Sequence, residues 1–361
     1  MLFIDNATVT RLLDMPSCMD ALEVGYRDLA RGDAIFRPRI DVYFPNETPD
    51  GYYRWGTMEG ASRSLGVFAI RMKSDMLTWP DGLTEEKYCV TPGTFCGLIF
   101  LCSTRTGEPL AIINDGVLQH MRVGGCAGLG AKYLARDDAA VVGMLGSGGM
   151  ARTYLEAFAA VRRLERVKVY SPTPAHREAY AEEMSEKLGI PIEPMSSPEE
   201  VVRDSDIVST CTDSISPVVD DLGWISPGSH LTTVRGNEWP MEVLQKATYT
   251  AKLGRNTLGE MDEGMERIHG TASYVAGQPD ERARIPNPVE DVYQGKYESL
   301  VDLMVGKSKG RQSADDITYF INSGTQGLQF AAVAGRVYAL ARERGLGREV
   351  PTDWFLQDIR D

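Results

Sequence analysis

One short stretch restricts the fold more than any other part of the chain: a glycine-rich turn between an apolar run and a helical pattern. Residues 139–151 read A-A-V-V-G-M-L-G-S-G-G-M-A, and the segment from Gly146 to Ala151 fits G-x-G-x-x-A. In such a unit the first glycine allows the tight turn, the second lets the backbone approach a pyrophosphate, and the helix N-terminus offers free N–H groups. Glycine turns also occur in units that bind nothing, but the strand and helix context favours a dinucleotide site. Its candidate contacts are Gly146, Ser147, Gly148, Gly149 and Met150.

The segment after this turn alternates between short apolar runs and helical patterns. Strands are predicted over 167–170, 191–195, 207–212 and 228–234, and helices over 175–188 and 198–202. This spacing predicts an α/β fold with a Rossmann-type, doubly wound parallel sheet from about 136 to 254. Thr210 and Thr212, in the strand over 207–212, are further candidate cofactor contacts.

The end of the second predicted strand indicates which dinucleotide fits. An acidic residue there binds the ribose hydroxyls of NAD, whereas a small polar residue with a nearby cation leaves room for the extra phosphate of NADP. This chain has Ser171 at that position, Thr173 close by, and His176 and Arg177 at the start of the next helix. The residues therefore favour NADP(H) over NAD(H).

The chain before residue 115 predicts an antiparallel or mixed sheet. After a helix that ends at Gly32, a hairpin is expected between 40–44 and 52–57, and further strands are expected over 66–73, 95–102 and 109–114. The strand over 66–73 places Arg71 and Lys73 on one face, and two cations on one face need an anion. The segment over 74–92 is long for a loop, so we expect an active-site flap or an ordered insertion.

The remaining segments give coarser predictions. A helix over 115–135 carries Arg122 and a face of small residues that would let it pack closely against another backbone. Residues 255–311 are rich in glycine, charge and proline, so irregular structure is expected there. A long helix is expected from Ile317 onward.

Composition excludes several classes of protein. The chain has 361 residues, enough for two domains, and its net charge of −13 argues against nucleic acid or an anionic membrane as the main partner. The six cysteines form no C-x-x-C pair and there are only four histidines, so no metal site is predicted. No stretch has the length and apolar character of a membrane span. We therefore expect a cytoplasmic protein.

Taken together, the landmarks resemble the ornithine cyclodeaminase and mu-crystallin family. They are Arg39 after Pro38, G-V-F-A-I-R-M-K at 66–73, T-G-E-P-L at 106–110, Q-H-M-R-V-G-G-C-A at 119–127, the glycine turn, and D-D-I-T-Y-F-I-N-S-G-T at 315–325. The resemblance implies a Rossmann domain over 126–311, inserted into an α+β substrate-binding and dimerisation domain made of 1–125 and 312–361. It also implies a homodimer. The family includes a lyase that converts ornithine to proline and reductases of cyclic imines or oxo acids.

The resemblance also assigns roles to residues of the substrate site. Arg39 and Arg122 would hold a substrate carboxylate, and the planar guanidinium suits bidentate binding of that group. A family lysine on the strand over 66–73 corresponds to Arg71 or to Lys73, and Lys73 is our choice for the acid/base. Thr94 would lie near the nicotinamide or the substrate.

Two departures from the cyclodeaminase pattern bear on the reaction. The position of a catalytic aspartate is Asn237 here, which is neutral, although Glu238 could substitute if the loop is shifted. An acidic position on the strand after the D-G turn is Arg54, which would repel an ammonium and, together with Arg71, attract a second carboxylate.

With these departures, the resemblance implies an NAD(P)H-dependent reductase of an imine derived from an α-amino acid, and Arg54 and Arg71 predict a second acidic group on the substrate. One alternative is a cyclodeaminase-like lyase that recycles NAD, against which Asn237 counts. The other is a non-enzymatic NADP-binding protein of the crystallin type. The partner in each case is a small molecule.

Overall fold

The computed structural model describes residues 1–47, 51–79, 86–214, 216–234, 238–254, 261–268, 271–286 and 297–359. The strands, in chain order, are β1 (Leu2–Ile4), β2 (Ala34–Phe36), β3 (Ile40–Pro45), β4 (Gly51–Ser62), β5 (Val67–Thr78), β6 (Glu86–Tyr88), β7 (Cys96–Ser103), β8 (Pro109–Asn114), β9 (Val141–Leu145), β10 (Arg166–Tyr170), β11 (Ile192–Pro194), β12 (Ile207–Thr210), β13 (His230–Thr233), β14 (Tyr249–Lys252), β15 (Met265–Ile268), β16 (Thr271–Val275), β17 (Glu298–Ser299), β18 (Thr318–Ile321) and β19 (Arg348–Glu349).

The helices follow the same numbering. They are α1 (Asn6–Leu12), α2 (Met15–Arg31), α3 (Gly116–Leu134), α4 (Gly149–Val161), α5 (Pro174–Leu188), α6 (Pro198–Val202), α7 (Val243–Lys246), α8 (Pro279–Arg282), α9 (Leu300–Met304) and α10 (Gln326–Arg344). None of these described helices combines the length and the apolar character that crossing a bilayer requires.

The strands form two sheets. The first has the order β15-β16-β3-β4-β5-β7-β8-β1-β19, with β2 paired to β4 and β6 paired to β5. Most of its pairs are antiparallel, whereas β1 runs parallel to β8 and β16 runs parallel to β3. The predicted mixed sheet and its β3–β4 hairpin are therefore confirmed. α2, α3 and α10 share one apolar core with the inner face of this sheet.

The second sheet is a parallel sheet with helical crossovers. Its order is β11-β10-β9-β12-β13-β18-β14-β17, and every described pair in it is parallel. All four residues of β12, of β13 and of β18 are buried, as expected for central strands that are covered on both faces. The predicted Rossmann-type, doubly wound sheet is thus confirmed.

Four local predictions differ from the structure. β18 is a strand of the second sheet, although a helix was expected from Ile317, and the helix α10 begins only at Gln326. β15 and β16 form a hairpin that extends the first sheet, where irregular structure was expected. The strand β5 continues to Thr78 and pairs with β6, so much of the expected loop over 74–92 is sheet. The first helix is two helices, because Asp14 caps α2 by accepting a hydrogen bond from the Ser17 N–H.

These differences affect the expected domain division. β18 lies after residue 312 in the chain but in the parallel sheet, and the β15–β16 hairpin lies within 126–311 but in the mixed sheet. A Rossmann domain inserted once into another domain has two boundaries, but the chain passes between the two sheets more than twice. β18 was not recognised as a strand because a short buried strand has no period that separates it from a helix.

The helix α3 lies against both halves of the structure. The small-residue face predicted for it packs against α4: a Cβ atom on Gly124 would lie 2.6 Å from the Thr153 carbonyl oxygen, and one on Gly128 would lie 2.7 Å from the Ala157 Cβ. On another side, Gly125 faces Leu22 of α2. This close packing fixes the side chains of α3 relative to the glycine turn.

Candidate active site

The glycine turn has the geometry that a dinucleotide requires. Gly146 has φ +109°, and a Cβ atom there would lie 2.2 Å from the Cys211 carbonyl oxygen, so a larger residue would be excluded. Gly148 is the N-cap of α4 and supplies no side-chain cap, and open space surrounds the position where its Cβ would be. Ser147 accepts a hydrogen bond from Arg152 through its carbonyl group. The first-turn N–H groups of α4, at Gly149 and Met150, are thus available to an anion.

The end of β10 is built from neutral and basic groups. Ser171 is buried directly after the strand, and its carbonyl oxygen accepts a hydrogen bond of 2.8 Å from Arg177 Nη1. The Arg177 guanidinium also lies 5.5 Å from the centroid of the Tyr170 ring. Thr173 is the N-cap of α5 and is exposed. This end of the site therefore offers hydroxyl groups and a cation rather than a carboxylate.

Glu238 occupies the carboxyl ends of β12 and β13. Its fully buried carboxylate accepts hydrogen bonds from the Thr210 and Thr233 hydroxyls at 3.2 and 2.9 Å. It also accepts them from the N–H and the hydroxyl of Thr212. Thr210 and Thr212, both predicted as cofactor contacts, thus serve to hold this carboxylate. The predicted catalytic residue Asn237 lies outside the described residues.

Lys73 lies between two glycines on the inner face of the first sheet. Gly56 of β4 and Gly97 of β7 are its direct partners on the two neighbouring strands, so all three positions share one face. Carboxylates lie over both glycines: a Cβ atom on Gly56 would be 2.5 Å from Asp41 Oδ1, and one on Gly97 would be 2.0 Å from Asp115 Oδ1. The glycines therefore make room for acidic side chains on either side of Lys73.

One carboxylate is shared by two cations. Asp75 Oδ2 lies 2.8 Å from Lys73 Nζ and 2.7 Å from Arg54 Nη2, and all three residues face the same side of the sheet. Burial lowers the pKa of Lys73 to about 8, Asp75 opposes that shift, and Arg54 adds to it. A lysine with this pKa can give or take a proton near neutral pH.

Arg71 and Arg122 lie over the same aromatic ring. Their guanidinium carbons are 5.4 and 4.7 Å from the centroid of Phe330. Arg71 forms an ion pair of 2.5 Å with Asp115, whereas Arg122 donates hydrogen bonds to the amide oxygens of Gln329 and Gln119 at 2.6 and 2.8 Å. Burial lowers the pKa of Arg122 to about 10, and Arg71 contributes to that shift.

Arg39 lies directly before β3, beside the same cluster. Its Nε atom donates to Asp41 Oδ1 at 2.7 Å, and its positive charge contributes to the lowered pKa of Arg71. Its Nη2 atom is buried and has no hydrogen-bond partner within the described part of the chain. A guanidinium nitrogen in this state is a good donor for a ligand carboxylate.

Among the described side chains of this cluster, positive charges outnumber negative ones. The structure brings together the predicted cations Arg39, Arg54, Arg71, Lys73 and Arg122, and three carboxylates lie among them, those of Asp41, Asp75 and Asp115. Five cations against three carboxylates leave an excess of two positive charges. Thr94 lies apart from this face, in the exposed turn between β6 and β7, where its hydroxyl donates to the Cys89 and Thr91 carbonyl groups.

Several residues of this site were not predicted from the sequence. Asp75 could have been placed beside Lys73 from the sequence, because it follows Lys73 by two residues and shares its face once the strand is extended to Thr78. No sequence pattern indicated Gln329 and Phe330, since α10 reaches the site only through tertiary packing. Asp41 and Asp115 also became visible only through their positions over Gly56 and Gly97.

Comparison with known proteins agrees with this architecture. The model of the "Ornithine cyclodeaminase/mu-crystallin family" matches residues 2–344. A Delta(1)-pyrroline-2-carboxylate reductase from Bacillus cereus is 28% identical over 353 residues, which cover 97% of this chain and 99% of that protein.

Two solved structures are also similar to this chain. That of the Thermococcus litoralis Delta(1)-pyrroline-2-carboxylate reductase, in complex with NADH and L-proline, is 28% identical, with a TM-score of 0.75 over 97% of this chain and 100% of that one. That of an archaeal alanine dehydrogenase dimer with bound NAD is 26% identical, with a TM-score of 0.73 over 97% and 99% of the two chains.

Proposed function

Since the chain belongs to the ornithine cyclodeaminase/mu-crystallin family, we propose that it is an NAD(P)H-dependent reductase of an imine derived from an α-amino acid. The observation that carries this proposal is Lys73, a partly buried lysine with a pKa of about 8, on the same sheet face as a cluster of arginines. The relatives that match the whole chain support it, since they are named as a reductase of a cyclic imino acid and an alanine dehydrogenase.

Each residue has a distinct role in this reaction. Arg39 and Arg122 bind the α-carboxylate, Arg39 through its buried Nη2 and Arg122 through a guanidinium that is held by two amides and the Phe330 ring. Lys73 supplies the proton that the nitrogen gains and takes it back in the oxidative direction. The nicotinamide, when bound, supplies the hydride for the α-carbon, and the chain's contribution is to hold the carbon in place.

The preferred substrate carries a second carboxylate. The cluster has an excess of two positive charges, and the single carboxylate of Asp75 serves both Arg54 and Lys73. A substrate with two carboxylates would balance this excess, whereas a substrate ammonium near Arg54 would be repelled. The same charge arrangement disfavours the ornithine-type lyase reaction.

NADP(H) is the preferred cofactor. The support is the absence of a carboxylate at Ser171 to Thr173 and the position of Arg177, which is anchored on the Ser171 carbonyl group. A 2′-phosphate needs a cation and hydroxyl donors, and this end of β10 has both.

The enzyme acts as a homodimer that pairs through the outer face of the first sheet. Five outward-pointing side chains on its central strands are apolar and only partly covered in a single chain, namely those of Trp55, Ile70, Met72, Leu98 and Phe100. An apolar sheet face of this kind is typical of a subunit interface. Light scattering should give twice the chain mass of 39.8 kDa, and Leu98→Asp should reduce it to one chain.

The decisive experiment measures oxidation of NADPH and NADH with two sets of substrates. One set consists of oxo acids with ammonia or methylamine, both monocarboxylic and dicarboxylic, and the other consists of cyclic imines. We expect turnover, with dicarboxylic compounds preferred. Ammonia released from a diamino acid without net change in the cofactor would instead identify a lyase, and tight binding without turnover would identify a binding protein.

A pair of variants tests the second carboxylate site. Arg54→Gln should raise the KM of dicarboxylic substrates about tenfold or more and leave that of monocarboxylic substrates within about twofold. The matched control is Arg63→Gln, because Arg63 also pairs with an aspartate but is 82% exposed. An equal increase in KM for dicarboxylic and monocarboxylic substrates would contradict the assignment of Arg54.

A further inference from the structure

His120 of α3 lies against the glycine turn. A Cβ atom on Gly149 would be 3.2 Å from His120 Nε2, 3.5 Å from Cδ2 and 3.6 Å from Cε1, so the Nε2 edge of the imidazole faces the first residue of α4. His120 also precedes Arg122 by two residues on the same helix. α3 thus places one side chain at the turn and another in the substrate cluster.

The space beside this imidazole is suited to an anion. The N-cap of α4 is Gly148, which provides no side-chain acceptor, and its missing side chain leaves open space. The N–H groups of the first turn therefore need an acceptor from outside the helix. An anion that binds there would meet these N–H groups on one side and His120 on the other.

The charges around His120 determine its protonation. Burial lowers its pKa below 6.5, and Arg122 adds to that shift, whereas a hydrogen bond with the Gly116 backbone and the charge of Asp115 oppose it. Arg152 of α4 lies beside the glycine turn, where its guanidinium donates to the Ser147 carbonyl oxygen and pairs with Glu183. The imidazole is therefore neutral near pH 7, and an adjacent phosphate would favour its protonated form.

We propose that His120 is a ligand of the cofactor diphosphate, contributed to the Rossmann turn by the helix that also holds the substrate carboxylate. This inference rests on the proposed function only in that the ligand is a nicotinamide dinucleotide. The imidazolium donates a hydrogen bond from Nε2 to a diphosphate oxygen, so binding of the cofactor takes up a proton. Affinity consequently falls as the pH rises.

The experiment is a fluorescence titration of the purified enzyme with NADH and with NADPH between pH 6 and 8. The variant His120→Gln should bind both dinucleotides about tenfold more weakly at pH 6, and its affinity should change little with pH. The control is Arg105→Gln, because Arg105 is exposed in the turn between β7 and β8 and lies outside the proposed binding sites. It should leave the affinity for both dinucleotides unchanged.

A second measurement does not depend on the variant's folding. Calorimetric titration of the unaltered enzyme with NADH near pH 7, in buffers of different ionisation enthalpy, should show uptake of a large fraction of one proton. Binding without proton uptake, or a folded His120→Gln variant with the affinity and pH profile of the parent, would overturn the proposal. If either of these results is obtained and the unaltered enzyme still reduces imines, the role of His120 is rejected and the proposed function is still supported.

Discussion

Lys73 Nζ lies 2.8 Å from the Oδ2 atom of Asp75, which is two residues further along β5 on the same face. The same oxygen accepts a hydrogen bond from Arg54, so one carboxylate stabilises the buried Arg54 and the partly buried Lys73. The other oxygen, Oδ1, has no hydrogen-bond partner among the described residues. Asp75 therefore holds the proposed proton donor and the proposed specificity residue through a single group.

Asp75→Asn should shift the pH profile of the reaction. Without its counter-charge, the pKa of Lys73 falls further below its value of about 8, because burial and Arg54 still disfavour the ammonium. In the reductive direction Lys73 acts as an acid, so kcat/KM declines above its pKa. We expect that decline to begin about one pH unit lower in the variant. The control is Asp33→Asn, at an aspartate that pairs with the exposed Arg63.

The same substitution should also lower stability. Removing one partner of a buried ion pair leaves a charge uncompensated, which costs about 3 kcal/mol. Urea unfolding should show this loss for Asp75→Asn, and a double variant with Arg54→Met should recover part of it. An unchanged pH profile in a folded variant would mean that Lys73 is not the proton donor.

Gly97→Ala should disrupt the site without changing any polar group. The new Cβ would lie 2.0 Å from Asp115 Oδ1, so the carboxylate must move away from Arg71. We expect a loss of about 1–3 kcal/mol in the free energy of unfolding and a clear fall in kcat/KM. Replacing Gly335 by Ala is a milder control, because its Cβ would lie 3.1 Å from the Val67 side chain. Full activity in Gly97→Ala would contradict the position of Asp115.

The sequence predicts the local features of this protein well. The turn at Gly146 and the β3–β4 hairpin each carry their own signal in neighbouring residues, and both are confirmed. The strand β18 was missed because its four residues are all buried and show no alternation that would mark a strand. Its place between β13 and β14 follows from sheet pairing over long distances in the chain.

In the substrate cluster, too, the local arrangement was predicted and the contacts between distant residues were not. Arg71 and Lys73 were predicted on one face from the period of a strand, and the structure places them there. Phe330, which lies under both Arg71 and Arg122, comes from a helix more than 200 residues away in the chain, so only packing shows the contact. The prediction that Lys73 rather than Arg71 is the acid/base likewise depends on neighbours such as Asp75 and Asp115, not on spacing.

Ser171→Asp should reverse the cofactor preference. A carboxylate at this position would repel the 2′-phosphate of NADPH and could accept hydrogen bonds from the ribose hydroxyls of NADH. We expect the Kd for NADPH to rise at least about tenfold and that for NADH to stay equal or fall. Ser196→Asp, at an exposed loop position after β11, is the control. A similar loss of affinity for NADPH and for NADH would argue against a 2′-phosphate site here.

His230 should make the fold sensitive to acid. Burial, with contributions from Arg311 and Arg162, lowers its pKa from 6.5 to about 3, and its Nδ1 atom lies 2.9 Å from the Thr318 hydroxyl in the centre of the parallel sheet. The folded chain therefore keeps His230 neutral, whereas the unfolded chain takes up a proton below pH 6.5. Its contribution to stability is complete above pH 6.5 and is lost as the pH falls toward 3.

His230→Asn tests this dependence, because the asparagine side chain can still reach Thr318. Between pH 6 and pH 4 the free energy of unfolding of the parent should fall by about 1.4 kcal/mol per pH unit more than that of the variant. Urea unfolding at pH 7, 6, 5 and 4 measures both slopes, and His176→Asn, on the exposed face of α5, should behave like the parent. Parallel slopes for parent and His230→Asn would mean that His230 is protonated in the folded chain, which its full burial in β13, beside Thr318 of β18, makes costly because a buried charge needs a partner.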